Sequence, residues 1–478
     1  MKFADHEAAV REAFSRPQNR REMLRKMGAG FGMIGMAGAT ETLAAGVGAN
    51  PLLPKQPHFA PKAKHVIQLF MPGGPSQVDT FDHKPLLTKY AGQRPKLVDR
   101  KSLRNTKNGL MPSPFDFQQY GQCGKFVSDI FPHTAQCVDD ISFIHSMHTD
   151  IPEHAGAMMM YNVGHLQPNR PSMGAWLTYG LGSENKDLPG FVAMSPRAQP
   201  RCKLANWGNS FLPGAYAGTY VNIASMKPDA VMPDLKNAHL SRDEQREQAD
   251  LLAMMNKHYL ARRGRDQKVE AGIEAMEMAF RMQFSVPDVF DTAKEPQHVK
   301  DLYGDSEFAK GCLIARRLVE RGVRCVQLSH SISGYDIAWD TGHGNIKDGH
   351  RDLAVACDQG IAALIRDLKQ HGLFDDTLIV WGGEFGRAPT SEGAIGRDHD
   401  HYGFTTWLAG GGVKGGYSYG ATDQFGCSAV ENRVHVHDLH ATILHLMGLD
   451  HEKLTYRYSG RDYRLTDVHG HVVKDIIA

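Results

Sequence analysis

Three short apolar runs in this chain each stop at a glycine cluster, and that pattern constrains the fold more than any other feature. HVIQLFM (65–71) ends at Pro72-Gly73-Gly74, TLIVW (377–381) at Gly382-Gly383, and FTTWLA (404–409) at Gly410–Gly412. Runs this short, bounded by glycine, read as buried strands rather than helices. Phe143-Ile144 and VRCVQL (323–328) read as two more strands. Helical patterns lie between them. They cover 172–182, 240–283, 307–321 with Gly322 as cap, 352–370 and 438–448. Strands alternating with helices predict an α/β fold, a three-layer α/β/α sandwich around a mostly parallel sheet. In such sheets ligands sit at the carboxyl ends of the strands. The chemistry is therefore expected just beyond each run.

Polar clusters occupy those places. Ser76, Asp79, Asp82 and His83 follow the first strand. His145, His148, Asp150, Glu153, His154 and His165 place four histidines within 21 residues. His330, Asp336, Asp340, His343, Asp348 and His350 follow VRCVQL, and Glu384, Arg387 and Arg397-Asp398-His399-Asp400-His401 follow TLIVW. Histidines scattered over a solvated surface would not track strand ends in this way. Imidazole with carboxylate suits a divalent ion such as zinc, manganese or iron, whereas an all-oxygen set would suit calcium or magnesium. Such an ion polarises an oxyanion and lowers the pKa of bound water. A two-point grip on an anion is expected of Arg387. Together these features predict hydrolysis of a charged ester, a phosphate or a sulfate.

Charge excludes one class. Lys and Arg number 54 and Asp and Glu 53, a net +1, so no bulk charge drives binding to nucleic acid. The seven cysteines contain no CxxC pair and do not read as a disulfide framework. The first 26 residues hold seven basic and four acidic side chains, and Arg20-Arg21 precedes about 14 mild, Gly- and Ala-rich residues. That stretch is too short to span a bilayer, which takes roughly 20 residues. It resembles a twin-arginine export signal. The expectation is a leader over 1–48, passage through the twin-arginine translocase, and a periplasmic or cell-surface destination.

The motifs now add up to a resemblance. GGPSQVDTFDHKP (73–85), NRPSMGAWLTYGLG (169–182), LPGFVAM (188–194), WDTGHGN (339–345), GGEFGRAP (382–389) and GRDHDHYGFTTWLAGGGVKGG (396–416) resemble the bacterial family called domain of unknown function 1501, often labelled sulfatase-like. HDLHATILHLMGLD (437–450) is similar to a helix of the alkaline phosphatase superfamily. The resemblance implies one alkaline phosphatase-like domain over 60–478 with a helical insertion around 240–300. It also implies a divalent metal, with zinc expected and calcium or manganese as alternatives. Asp340 and His343 match the superfamily's Asp…His metal pair, and Glu384 stands at its metal-binding Asp. His399 or His401 matches its late metal histidine, and the spacing does not choose between them. Asp398 stands beside them, and Asp79 is a substitute for the Asp that should end the first strand. His154 occupies the position where relatives keep a hydroxyl or thiol nucleophile. His154, Arg387 and Ser76 are the candidate catalytic groups, and two roles for His154 stay open, a loop residue without function or a ligand or acid. The formylglycine motif (Cys or Ser, any, Pro, any, Arg) is absent from the mature chain. The expected function is an exported metal-dependent hydrolase of sulfate or phosphate esters, with an anionic substrate such as a sulfated polysaccharide. The alternative is a non-catalytic surface protein that keeps the fold.

Overall fold

The structure, a computed structural model, describes residues 51–99, 107–224, 288–331 and 335–478, with a few residues between 241 and 255. The leader over 1–48 and most of the helical stretch at 240–283 lie outside the described residues. The chain divides into a compact unit of 51–231 and 285–478 and a second unit of 1–50 and 232–284.

The centre of the first unit is a nine-stranded sheet. In chain order the strands are β1 (His65–Phe70), β2 (Ile141–His148), β3 (Phe191–Ser195), β4 (Thr219–Asn222), β5 (Cys325–Ser329), β6 (Thr377–Gly382), β7 (Phe404–Ala409), β8 (Tyr417–Tyr419) and β9 (Val434–His435). They lie side by side as β8-β2-β7-β6-β1-β5-β3-β4, with β9 also on β2. Every pairing is parallel except those of β7, which runs antiparallel to β2 and β6. The mostly parallel sheet read from the sequence is thus present, with one strand reversed. All six residues of β1 are buried, as expected of a central strand covered on both faces.

Six helices of seven residues or more flank the sheet among the described residues of this unit. They are α1 (His154–Val163), α2 (Met173–Leu181), α3 (Gln297–Tyr303), α4 (Glu307–Glu320), α5 (Ile346–Gln370) and α6 (Val436–Leu446). Their starts are written in the sequence. The Glu153 carboxylate accepts the backbone N–H of Ala155 and Gly156, and Ser172, Ser306 and Asn345 cap α2, α4 and α5 in the same way. The two faces of the sheet can be told apart by the period of two along each strand. Gln68 of β1 and Gln327 of β5 are register partners, and both donate to Asn162 Oδ1 of α1, at 2.9 and 3.2 Å. One residue on, Leu328 packs against Gly311 of α4 from the other face. Helices therefore cover both faces, completing three layers.

The sequence pattern predicts only part of β2 and none of β3, β4, β8 and β9. Phe143-Ile144 is the middle of β2, which runs for eight residues. Ser142, His145 and Ser146 interrupt its apolar pattern yet are buried, because β7, β8 and β9 flank the strand. The topology then gathers the loops. The ends of β1, β5 and β6 are parallel neighbours, so the segments that leave them meet: Trp339 N–H donates to Pro72 O at 2.8 Å, and Gly73 N–H reaches Glu384.

Candidate metal centre

Three imidazoles and one carboxylate converge where these segments meet. His154 is the first residue of α1, Asp340 and His343 lie in the short helical turn Ala338–His343, and His399 opens the two-residue strand His399–Asp400, which pairs with Gly386–Arg387 ahead of β7. The Nε2 atoms of His154, His343 and His399 lie 3.1, 3.2 and 3.2 Å from Asp340 Oδ1. His343 Nε2 and His399 Nε2 are 2.7 Å apart. Each ring is held from behind. His154 Nδ1–H donates to Glu384 Oε1 at 2.6 Å, His399 Nδ1–H donates to the Pro152 carbonyl at 2.7 Å, and His343 Nδ1–H donates to the Glu392 carboxylate. A carbonyl or carboxylate oxygen accepts, so Nδ1 is the donor in each ring, and in a neutral ring Nε2 then presents a lone pair.

Neutral rings would turn these Nε2 lone pairs on one another and on Asp340, an arrangement satisfied only by a proton or a cation placed between them. His154 Nε2 is buried and has no aligned hydrogen-bond partner despite its approach to Asp340. A divalent cation is what such a donor set fits: imidazole nitrogens and carboxylate oxygen ligate it, and carboxylates or carbonyls behind the rings fix the tautomers. His154, Asp340 and His399 keep donor atoms within 4.8 Å of one another, and so do His343, Asp398 and His399. Asp398 Oδ1 accepts the His399 backbone N–H at 2.8 Å, which leaves Oδ2 buried and without a hydrogen-bond partner. The Asp340 side chain is 25% exposed, so the group opens to solvent.

The electrostatics follow from this crowding. Burial alone would raise the Asp340 carboxyl, but His154, His343, His399 and the Arg387 charge hold it far below the usual range. Burial drives His399 down to about 3, assisted by Arg387 and the neighbouring imidazoles and opposed by Asp340. At His154 burial is outweighed by Asp340 and Glu384, which raise its pKa.

The other expected site residues have different duties. Glu384 is fully buried and stands behind His154, taking the Gly73 N–H at 2.9 Å as well. Its contact with the grouped donors is through the His154 ring. Arg387 is equally buried, and its guanidinium donates to Gly74 O at 2.9 Å, Arg397 O at 3.2 Å, Trp339 O at 3.3 Å, Gly73 O and Asp340 Oδ1 at 2.8 Å. All three nitrogens are engaged inside the protein, so the expected two-point grip on a substrate anion is not formed. Instead Arg387 ties the strand loops together and orients Asp340. Asp79 does not reach the imidazoles: it takes Arg397 Nε at 2.6 Å and Nη2 at 3.1 Å in a pair with no exposure. The Ser76 hydroxyl donates to Asp79 at 2.5 Å, which places it in that buried pair. The His401 ring packs on Tyr402, 3.9 Å between centroids, and of the two histidines only His399 is among the grouped donors. The sequence places Arg397 in the polar cluster after TLIVW without a role, and carries no signal for Glu392 or the Pro152 carbonyl.

A family model described as "Protein of unknown function (DUF1501)" matches residues 63–477. A search of curated proteins finds no match. Among solved structures, the lipoteichoic acid synthase LtaP from Listeria monocytogenes superposes with a TM-score of 0.37 at 9% identity, covering 87% of this chain and 78% of that one. The PsFucS1 sulfatase from Pseudoalteromonas sp. gives 0.35 at 12% identity, covering 82% and 68%. A protein in the alkaline phosphatase superfamily from Vibrio parahaemolyticus gives 0.32 at 11% identity, covering 92% and 78%. Superpositions this loose carry no inference about the chemistry of the site.

Proposed function

The chain belongs to the DUF1501 family, and from that premise we propose that it is an exported metal-dependent hydrolase of sulfate or phosphate esters, acting on an anionic substrate such as a sulfated polysaccharide. The observation that carries this reading is the convergence of three imidazole Nε2 atoms on Asp340 Oδ1, with every Nδ1 proton already committed. His154, Asp340, His343 and His399 would hold the ion, and Asp398 Oδ2 would join them. Zinc suits three nitrogens and a carboxylate, with manganese as the alternative. A bound divalent ion supplies Lewis acidity for an ester oxygen and a water of lowered pKa. The residues of the chain supply the rest. Glu384, Glu392 and the Pro152 carbonyl hold the rings, and Arg387 holds Asp340. His154 thereby takes the role of ligand rather than nucleophile or general acid, and water is the nucleophile.

The basic leader with Arg20-Arg21 supports export through the twin-arginine translocase. The seven cysteines, all free, are in keeping with a protein folded in a reducing compartment before export. No helix among the described residues is long and apolar enough to cross a membrane.

The test is hydrolysis of 4-nitrophenyl sulfate, 4-nitrophenyl phosphate and a sulfated polysaccharide by the purified protein. Turnover should stop on chelation, return with zinc or manganese, and be lost in Asp340→Asn. In parallel, Arg20→Lys with Arg21→Lys should trap the protein inside the cell. Protein that carries its metal and turns over none of the three would favour the non-catalytic surface protein, a reading helped by the histidine at the position of the nucleophile.

A further inference from the structure

A second polar cluster lies outside the metal centre, under the antiparallel hairpin of Phe117–Tyr120 and Lys125–Ser128. Lys125 is half-buried there. Its Nζ contacts His145 Nε2 of β2, donates to Ser418 Oγ of β8 at 3.1 Å, and lies 4.5 Å from the centre of the Phe143 ring. The nearby carboxylate, Asp82, is already taken by Lys84 at 2.9 Å and by the Thr422 hydroxyl. Among the described residues no carboxylate forms an ion pair with Lys125. The groups that act on it are Asp82 and Lys84 from the segment after the first strand, Cys123 from its own hairpin turn, and His145 from the sheet.

An amine held without a counter-ion beside a neutral imidazole has the makings of a nucleophile. We propose that Lys125 is a site of covalent acylation by activated acyl donors such as acyl phosphates and thioesters, with His145 as its positioning residue. Burial lowers the Lys125 amine to about 8, with Lys84 adding to the effect and Asp82 and Cys123 opposing it. Burial, with the charges of Lys125 and Lys84, also keeps His145 neutral, and its Nδ1 is held 3.1 Å from Thr405 Oγ1. Neutral His145 accepts one N–H of the free amine through Nε2 and leaves the nitrogen lone pair free to attack. In the reaction Nζ forms a bond to the acyl carbon. The bond from that carbon to phosphate or thiolate breaks, and the leaving group takes the electron pair. The proton of the transient ammonium goes to water.

Competitive trace labelling of the native full-length protein with acetic anhydride, followed by peptide mass spectrometry between pH 6 and 11, tests this. Lys125 should label with a midpoint near 8, and at pH 7.5 about tenfold faster than the exposed Lys294 and Lys453. Acetyl phosphate at pH 7.5 should give the same ranking. Labelling in step with the exposed lysines, or protection across the whole range, would overturn the proposal. His145→Gln, with its circular dichroism unchanged, should slow Lys125 alone. An unchanged rate in that variant would refute the positioning role. None of these readouts depends on the metal centre or on ester hydrolysis.

Discussion

At the scale of single residues, the candidate centre separates side chains that would hold an ion from side chains that orient them. Glu392 belongs to the second kind, because its carboxylate takes His343 Nδ1–H. Partners of this kind tune affinity by about 10–100-fold. Glu392→Gln should weaken zinc binding by that factor in calorimetry with little change in unfolding. Equal affinity in the variant would show that His343 is not a ligand. Asp79 makes the opposite case. Its pairing with Arg397 is closed to solvent on both sides, and Arg397 also donates to the carbonyls of Ala388, Pro389, Met111 and Pro112. Removing one member of a buried pair strands the other charge and costs about 3–5 kcal/mol. Asp79→Ala should therefore lose that much stability in urea unfolding, while the fraction that stays folded keeps its metal. Loss of metal at unchanged stability would put Asp79 back among the ligands.

At the scale of elements, the site depends on how closely the β1 loop approaches the turn that carries Asp340. Gly73 has φ +113°, and a Cβ there would sit 2.3 Å from Asp340 N and 2.7 Å from Trp339 N. No movable side chain relieves that clash, since both neighbours are backbone. Gly73→Ala should cost about 3 kcal/mol or more and remove the metal with it. Gly372 is the control. It too is left-handed, at φ +66°, but a Cβ there meets nothing within 4 Å. Gly372→Ala should cost only the backbone preference, about 1 kcal/mol. Thermal unfolding with metal analysis of both variants checks the pair, and similar losses in the two would argue against close approach as the reason for Gly73.

At the scale of the whole molecule, buried neutral histidines set the response to acid. Burial lowers His330, His350 and His440 each to about 3. His330 Nδ1 accepts the Trp339 indole N–H at 3.1 Å and His350 Nε2 accepts the Ser76 N–H at 3.0 Å, so charging either ring breaks a bond as well. A histidine whose folded pKa lies below the unfolded value of about 6.5 binds more protons when unfolded. Its contribution is fully present above pH 6.5 and declines as pH falls towards 3. Each such group adds a slope of up to about 1.4 kcal/mol per pH unit in that window. Metal-free protein should lose stability steeply between pH 6.5 and 3, and His440→Leu should flatten the decline. A wild-type stability level across that range would contradict the burial of these rings.

The α/β class, the central parallel strands β1, β5 and β6 and the helices α2, α4 and α6 are local properties legible in the sequence, whereas α1 and α3 are not legible there and α5 begins at Ile346, ahead of the expected 352. A buried strand needs an unbroken apolar run, a helix needs a cap such as Ser172 or Asn345, and glycine ends both. The same rules put Asp340, His343, Glu384, Asp398 and His399 just beyond strand ends. Which of them meet was decided only by tertiary structure. Whether Glu384 binds an ion or props a histidine depends on where the Gly73 N–H and the His154 ring arrive, from residues 311 and 230 positions away in the chain. Arg387 and Asp79 carry the charge expected of site residues, but the packing that buries them supplies their partners from inside, and no sequence spacing records that. The grouping of His399, rather than His401, with the other donor atoms has the same cause. Donor atoms must come within a few ångströms, and that distance is set by strand order, not by position along the chain.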